Sequence, residues 1–152
     1  MLYRLYRPED FTALYAIEES CFEAPLRFSR GYMRSLVQGP GTATWIAEQD
    51  GQLAGFAIVE CAQEGGEPVA YIQTLEVAAK QRHRGAGSEL LRRVESSARD
   101  AGARLIWLHV DAENATAIRL YEAHGYRHQG KEDHYYARNR PALIYAKSLE
   151  GG

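Results

Sequence analysis

The chain is short of cysteine, carries no excess of either charge and has no long apolar run. Its two cysteines, Cys21 and Cys61, are too few for a disulfide scaffold and lie among apolar residues, which predicts buried free thiols. The 18 basic and 20 acidic residues give a formal net charge of -2, so we expect no nucleic-acid partner. Apolar runs such as 53–59 fall far short of the roughly 20 residues that span a membrane.

The first residues also lack the apolar core of a signal peptide, and no repeat, linker or low-complexity segment is evident. We therefore expect a cytoplasmic protein without a membrane segment. Hydrophobic residues make up 45% and charged residues 25% of the 152 positions, the balance of an ordinary globular protein. This length predicts one domain, which we assign to residues 1–149.

Hydrophobic periodicity predicts the element order β-α-α-β-β-β-α-β-α-β-β. The predicted strands are 2–7, 42–48, 53–62, 69–77, 104–110, a short strand from Tyr126, and 141–148. The predicted helices begin at Pro8 and after Ser29, and cover 85–101 and 115–124. This order predicts an α/β domain, a mixed sheet with helices on both faces, in which ligands favour the carboxyl ends of central strands.

One strand-to-helix turn has the features of an anion site. Gly85 and Gly87 let the backbone approach a ligand closely, because no Cβ stands in the way. The following helix directs its free N–H groups to the same place, and Arg82, His83 and Arg84 add positive potential. A pyrophosphate would fit, although glycine in such turns also serves geometry alone and arginine-rich turns are often merely solvated.

Two motifs resemble those of the GNAT superfamily of acyl-CoA-dependent N-acetyltransferases. Residues 82–87, Arg-His-Arg-Gly-Ala-Gly, match its Arg/Gln-x-x-Gly-x-Gly/Ala pyrophosphate loop and follow a strand that ends Leu-Glu-Val at 75–77. Residues 114–126 match its Asn-x-x-Ala-x-x-Leu-Tyr-x-x-x-Gly-Phe/Tyr signature. Order and spacing also fit, and the resemblance covers essentially the whole chain. It implies a single GNAT-like domain with a mixed, mostly antiparallel sheet, and acetyl-CoA as co-substrate.

Within the superfamily, the chain looks most like the protein N-terminal acetyltransferases, both the bacterial ribosomal-protein alanine type and the eukaryotic Nα types. Residues 107–114 and 71–75 resemble strands of these enzymes, and the second carries an active-site tyrosine in one of them. Residues 134–136 resemble an Asn-Tyr-Tyr that clasps the peptide backbone. Residues 22–28 lie where a loop grips the first acceptor residue.

The chain departs from that pattern at several positions. His109 stands where the bacterial type usually has Glu, Asp111 where Arg is more common, and His134 where Asn precedes the tyrosine pair. The segment 138–141 also differs from the residues usual before the last strand. These departures leave the reaction in place but put a ribosomal substrate in doubt.

The resemblance assigns roles to individual residues. It implies Tyr121 as the general acid that protonates the leaving thiolate, His109 as the general base and Tyr71 as a further catalytic residue in the same site. The cofactor-binding residues that it implies are Leu75, Glu76, Val77, Arg82, His83, Arg84, Gly85, Ala86, Gly87, Ser88, Asn114 and Tyr121, with the Val77 N–H at the thioester carbonyl. The substrate-binding residues that it implies are Phe22, Pro25, Leu26, Tyr135 and Tyr136.

Other roles are open for these side chains. Spacing alone favours Tyr121 as a core aromatic on a helix, and a lone strand histidine such as His109 is more often a core residue. Asp111, two residues further on, could orient His109. Asn114 caps its helix in either case, and the tyrosine pair could consist of loop aromatics. An α-amino group titrates near 8 and a lysine near 10.4, so an N-terminal acceptor needs a weaker base.

The leading hypothesis is an acetyl-CoA-dependent N-acetyltransferase that acts on a protein or peptide N-terminus by direct attack in a ternary complex. The alternatives are an acetyltransferase for a small amine (a polyamine, amino acid or antibiotic) and a non-catalytic acyl-CoA-binding module. The loop 22–28 has only Glu23 as an acidic residue, which favours a peptide side chain over a cationic amine. Because Gly125 interrupts the pair His124 and His128, we expect no metal site. We expect a monomer or a homodimer.

Overall fold

The computed structural model describes residues 1–150, and its elements occur in the predicted order. The strands are β1 (Leu2–Leu5), β2 (Thr42–Gln49), β3 (Gln52–Glu64), β4 (Glu67–Val77), β5 (Leu105–Asp111), β6 (Arg127–Ala137) and β7 (Arg140–Ser148). The α-helices are α1 (Phe11–Cys21), α2 (Arg30–Gln38), α3 (Ala86–Asp100) and α4 (Ala115–Ala123). The predicted α/β class is confirmed, while the domain bounds 1–149 stay a prediction. No helix within residues 1–150 is long and apolar enough to cross a bilayer.

The strands form one sheet in the order β1-β2-β3-β4-β5-β7-β6, in which every neighbouring pair is antiparallel except β4 and β5. The predicted mixed, mostly antiparallel sheet is therefore confirmed. The parallel ladder between β4 and β5 joins only residues 69–72 to residues 105–108. Because pairing stops there, the carboxyl ends of these two strands are free to separate, and a ligand can enter between them.

Helices cover both faces of the sheet, each over its own core. Leu90, Leu91 and Val94 of α3 are fully buried against one face, since they recur every three or four residues along the helix. Leu14 of α1 and Met33 of α2 are equally buried against the other face. Truncating one such side chain to alanine costs about 2–5 kcal/mol. The two cores hold the central strands rigidly on both sides of the gap between β4 and β5.

The chain start differs from the prediction. The first strand ends at Leu5, and residues Pro8–Asp10 form a 3-10 helix ahead of α1. The Asp10 carboxylate accepts the Arg7 N–H at 2.8 Å and also binds the Arg4 guanidinium at 2.8 and 2.9 Å. The Arg7 N–H is therefore bonded to this carboxylate and is not available for the strand pairing that a longer β1 would need.

The predicted short strand from Tyr126 was wrong in extent, since β6 runs over Arg127–Ala137 and contains Tyr135 and Tyr136. The tyrosine pair therefore lies in a strand and not in a loop. β6 is an edge strand with mostly exposed, polar residues, which lack the alternation of a half-buried strand. Its register with β7 shifts between Glu132 and Ala137, and His134 has a left-handed φ of 63°. Such a bulge re-aims neighbouring side chains.

Candidate active site

A cavity of about 930 Å³ opens where β4 and β5 separate, a volume typical of small-molecule sites. Its wall is formed by the end of β4, the N-terminal turns of α3 and α4, and the segment after α1. The predicted cofactor-binding residues that line it are Leu75, Glu76, Val77, Arg82, His83, Gly85, Ala86, Gly87, Ser88, Asn114 and Tyr121. Arg84 is outside this wall and donates to the Gln81 side chain at 3.4 Å.

The turn before α3 has the geometry of an anion cradle. Gly85 caps the helix in a left-handed conformation, with φ of 82°, and leaves open space where a Cβ would stand. A Cβ on Gly87 would lie 3.3 Å from Leu120 Cδ2, so this glycine lets α3 approach α4 closely. Gly85 is therefore restricted by its backbone angle and Gly87 by its close neighbour on α4.

This cradle suits the pyrophosphate of an acyl-CoA. The N–H groups at the start of α3 have no partner within the helix, and they adjoin the cavity. His83 also lines the cavity. Arg82 is committed to the protein, since its Nε donates to the Val77 carbonyl at 3.0 Å and its Nη2 lies 3.5 Å from Cys21 Sγ. We infer that Arg82 fixes the turn to the end of β4, so the helix N-terminus supplies the main anion contacts.

Tyr121 is buried in α4 at 5% exposure and adjoins the cavity. Its ring packs edge-on against Tyr126 at 5.5 Å. Burial raises the pKa of Tyr121, and the nearby Glu76 carboxyl raises it further. The phenol therefore stays protonated at neutral pH and can serve as a hydrogen-bond donor. Its role as general acid stays a prediction.

His109 lies in a chain of hydrogen bonds that the sequence did not show completely. The Tyr71 hydroxyl lies 2.7 Å from His109 Nδ1, and His109 Nε2 lies 2.9 Å from Glu132 Oε1. Burial raises the pKa of Tyr71, as do the neighbouring Tyr135 and Tyr136, so its hydroxyl stays protonated and can donate to Nδ1. Nε2–H then donates to Glu132. These partners fix the tautomer of an imidazole whose side chain is only 8% exposed.

Aromatic rings enclose this imidazole. Tyr135 stacks on His109 with ring centroids 4.1 Å apart and planes 11° apart. Trp107 packs against Tyr71 at 4.6 Å. We call Tyr71, Trp107, His109 and Tyr135, together with Tyr136, the aromatic cluster. The structure thus brings together four of the predicted catalytic and substrate-binding residues.

The aromatic cluster is not part of the cavity wall. Neither His109 nor Tyr71 lines the cavity. Burial raises the pKa of Tyr136, as do Tyr135, Asp111 and Tyr121, so this side chain lies close to the cluster and to the cavity wall alike. A proton path from an acceptor in the cavity to His109 Nδ1 would therefore pass Tyr71 or a water.

Asp111 does not orient His109, contrary to the expectation from their spacing. Its carboxylate accepts two hydrogen bonds from Arg140, at 3.1 and 2.7 Å. Asp111 is the last residue of β5 and pairs with Ala142 at the start of β7, next to Arg140. Glu132 takes the expected place beside His109. It lies 23 residues away on β6, so only the strand register could have revealed this contact.

The loop 22–28 borders the cavity through Phe22 and Leu26, whereas Pro25 is not part of the wall. Arg27 Nε and Nη2 donate to the carbonyls of Phe22 and Glu19, both at 2.8 Å. These bonds hold the loop in one shape against the end of α1. The substrate-binding roles of Phe22, Leu26 and Pro25 stay predictions.

Comparison with known proteins identifies the family. The model of the acetyltransferase (GNAT) family matches residues 8–126. Streptothricin acetyltransferase of Streptomyces lavendulae is 37% identical over 57% of the chain and 45% of its own length. Rat N-acetylaspartate synthetase is 32% identical over 63% of the chain and 31% of its own length. The chain thus spans less than half of either relative.

Other relatives match over greater lengths. [Ribosomal protein bS18]-alanine N-acetyltransferase of Escherichia coli K12 is 29% identical over 84% of the chain and 81% of its own length. The crystal structure of the Escherichia coli ribosomal-protein-S18-alanine N-acetyltransferase superimposes with a TM-score of 0.85 at 26% identity, covering 99% of this chain and 95% of that one. Arabidopsis thaliana NAA60 in complex with acetyl-CoA has a TM-score of 0.83 at 24% identity and 99% coverage of both, a likeness of fold.

These matches confirm the resemblance read from the two sequence motifs. The region matched by the family model includes the glycine turn, the end of β4 and α4, which together line the cavity. The chain therefore belongs to the GNAT family of acetyltransferases.

Proposed function

We propose that this acetyltransferase acts on the α-amino group of a protein or peptide N-terminus, by direct attack in a ternary complex. The observation that carries the proposal is the hydrogen-bond chain from Tyr71 through His109 to Glu132, enclosed by the aromatic cluster. Family membership sets aside the non-catalytic acyl-CoA-binding module.

Acetyl transfer forms a bond between the acceptor nitrogen and the acetyl carbonyl carbon, and it breaks the carbon–sulfur bond of the thioester. Acetyl-CoA supplies the activated acyl group. His109, with one ring nitrogen bonded to Glu132, accepts the proton that the amine must lose, through Tyr71 or a water. Tyr121 donates its phenolic proton to the departing thiolate. The Val77 N–H stabilises negative charge on the carbonyl oxygen.

An α-amino acceptor fits this base better than a lysine side chain does. A terminal amine loses its proton near pH 8, whereas a lysine needs pH 10.4, so a histidine is a sufficient base only for the first. Tyr135 is 43% exposed, so an extended peptide backbone can lie against it. The [ribosomal protein bS18]-alanine enzyme acts on a protein terminus by its name, and it matches most of the chain.

A small cationic amine is the second candidate, and one observation favours it. The cavity wall carries the carboxyl groups of Glu19, Glu23 and Glu113 in addition to the buried acids. The sequence pointed to Glu23 alone in the acceptor loop. Such a set attracts a polyamine or an aminoglycoside, and a relative of lesser coverage, streptothricin acetyltransferase, is named for an antibiotic.

The test is an acetylation assay with acetyl-CoA and a panel of acceptors. N-terminal peptides, internal lysine peptides with blocked termini, polyamines and antibiotics are compared at equal concentration. We expect the N-terminal peptides to have the highest kcat/KM, with the modified nitrogen identified by mass spectrometry. Polyamines or antibiotics as the preferred acceptors would refute the proposal in favour of the second candidate.

Variants of the hydrogen-bond chain sharpen this assay. His109→Ala should lower kcat about 100-fold or more and most strongly at low pH, where the acceptor amine is charged. His128→Ala is the matched control, since His128 packs on Tyr145 away from the aromatic cluster. If both variants keep the parent pH–rate profile, His109 is not the base. A cytoplasmic location stays a prediction.

A further inference from the structure

Two carboxyl groups meet in the interior beneath the cavity. Glu18 on α1 is 1% exposed and Glu76 on β4 is 3% exposed. Glu18 Oε2 accepts the Phe28 N–H at 2.9 Å, and Glu76 Oε2 accepts the Thr74 hydroxyl at 2.6 Å. The Oε1 atom of each is buried without a hydrogen-bond partner in residues 1–150. A buried carboxylate oxygen without a partner is costly, so this arrangement calls for an explanation.

One shared proton satisfies both atoms. The two carboxyl groups are neighbours, since Glu18 is among the groups that raise the pKa of Glu76, and the adjoining Cys21 Sγ on α1 reaches the Val77 carbonyl on β4 at 3.7 Å. Two adjacent carboxylates cannot both ionise cheaply in a dry interior, so one of them retains its proton. Burial and the neighbouring Glu18 raise the pKa of Glu76 well above its usual range. The proton therefore lies on Glu76 Oε1, which donates to Glu18 Oε1.

The position of the pair connects the two substrate sites. Glu76 stands between Leu75 and Val77 at the end of β4, which borders the acetyl-CoA cavity. Glu18 holds the N–H of Phe28, the last residue of the loop 22–28. A weaker contact runs alongside, from Cys21 Sγ to the Val77 carbonyl at 3.7 Å. The acid pair is thus the main polar link between the donor strand and that loop.

We propose that Glu18 and Glu76 share a proton and that this hydrogen bond latches the loop 22–28 against the donor-binding end of β4. Both are positioning residues, since they act through the loop and the strand. That the loop grips the acceptor rests on the proposed function, whereas the latch itself does not.

The latch makes the loop sensitive to pH. The polar or titratable groups facing Glu76 are Glu18 and Cys21 from α1, Thr74 from β4 and Tyr121 from α4, while Arg82 reaches Cys21 from the turn before α3. Phe56, its partner on β3, is apolar. As pH rises through the raised pKa of Glu76, the pair gains a second negative charge, the shared proton is lost and the loop is released.

The variant Glu76→Gln keeps the hydrogen bond to Glu18 but removes the ionisable group at position 76. The glutamine amide donates to Glu18 at every pH, and its oxygen still accepts from Thr74. We expect hydrogen exchange of residues 22–28 in the wild type to rise, relative to the intrinsic rate, as pH increases through the pKa of Glu76. In Glu76→Gln, the ratio of the loop's exchange rate to the intrinsic rate should stay constant with pH. In Glu76→Ala, the loop should exchange at least about tenfold faster than in the wild type already at pH 7. Glu67→Gln, exposed on the same strand, is the control and should behave as wild type.

A second measurement observes the titration of the carboxyl group directly. Side-chain carbon NMR of the wild type, labelled at glutamate carboxyls, should show one carboxyl that titrates far above the others and is absent from Glu76→Gln. If no glutamate titrates high, or if loop exchange is the same in wild type and Glu76→Ala, the latch is wrong. With an acceptor that the enzyme uses, Glu76→Ala should raise the KM for that acceptor about tenfold. The exchange and NMR measurements do not depend on whether peptides are acetylated. They therefore distinguish failure of the latch from failure of the proposed function.

Discussion

Gly55 offers a direct test of the donor-binding strand. It lies in β3 opposite Val77, where the strand borders the cavity. A Cβ built on Gly55 would be 2.6 Å from the Glu76 carbonyl oxygen and 3.2 Å from Val77 Cα. Ordinary contact begins near 3.4 Å, so in Gly55→Ala the end of β4 must move by about 0.8 Å, the difference between 3.4 and 2.6 Å. These obstructing atoms are backbone and cannot rotate away.

The displacement should cost both stability and affinity. Overpacking of this kind costs about 1–3 kcal/mol. For a chain of this size each kcal/mol lowers Tm by about 2–4 °C. We propose that the end of β4 binds the pantetheine arm of acetyl-CoA through backbone hydrogen bonds, each worth about 1 kcal/mol. A strand end that has moved misaligns them, so acetyl-CoA should bind on the order of tenfold more weakly.

Calorimetric unfolding and acetyl-CoA titration measure the two effects. Gly31→Ala is the matched control, because Gly31 lies in α2 with no atom within 4 Å of its built Cβ. Alanine there should raise the free energy of unfolding by about 0.5–1 kcal/mol through backbone entropy. If Gly55→Ala unfolds and binds acetyl-CoA as the wild type does, then β4 does not hold the donor at this point.

Three further variants test other parts of the molecule. Tyr121→Phe should lower kcat about 100-fold with little change in acetyl-CoA affinity by titration, and unchanged kcat would remove Tyr121 as the acid. Gly85→Val forces a side chain into a left-handed angle, so it should cost about 1–2 kcal/mol in calorimetric unfolding and weaken acetyl-CoA binding. Asp10→Asn should lose about 2 kcal/mol at pH 7, because hydrogen bonds from Arg4 and Arg7 lower the pKa of Asp10. That loss should disappear in acid-titrated unfolding as pH falls through the lowered pKa and wild-type Asp10 becomes protonated; a loss that does not change with pH would contradict the ion pair.

The sequence predicted the parts of the molecule that depend on local pattern. The apolar spacing of Leu90, Leu91 and Val94 predicts both α3 and the face that it buries, and the structure has them so. The glycine turn could be read in the same way, because a left-handed cap at Gly85 and a close approach at Gly87 require that residue type.

Contacts between residues of distant elements could not be predicted from the sequence. Asp111 lies two residues from His109 along β5, but its carboxylate binds Arg140, and Glu132 from β6 lies beside His109 instead. The acid pair depends in the same way on how α1 lies over the sheet. Glu18 and Glu76 each look like ordinary surface residues until the packing of α1 buries them together.

The short ladder between β4 and β5 has a consequence for the length of the acyl group. The last paired residues are Ile72 and Leu108, both almost fully buried, and they close the gap between the strands. If acetyl-CoA binds as proposed, with its pyrophosphate at α3 and its pantetheine arm along β4, the acyl end is directed into that gap and towards this final pair. A longer acyl chain needs either a deeper gap, which would open the ladder, or smaller side chains at this pair. On this proposal, the register between β4 and β5 limits the length of the acyl group that can be transferred.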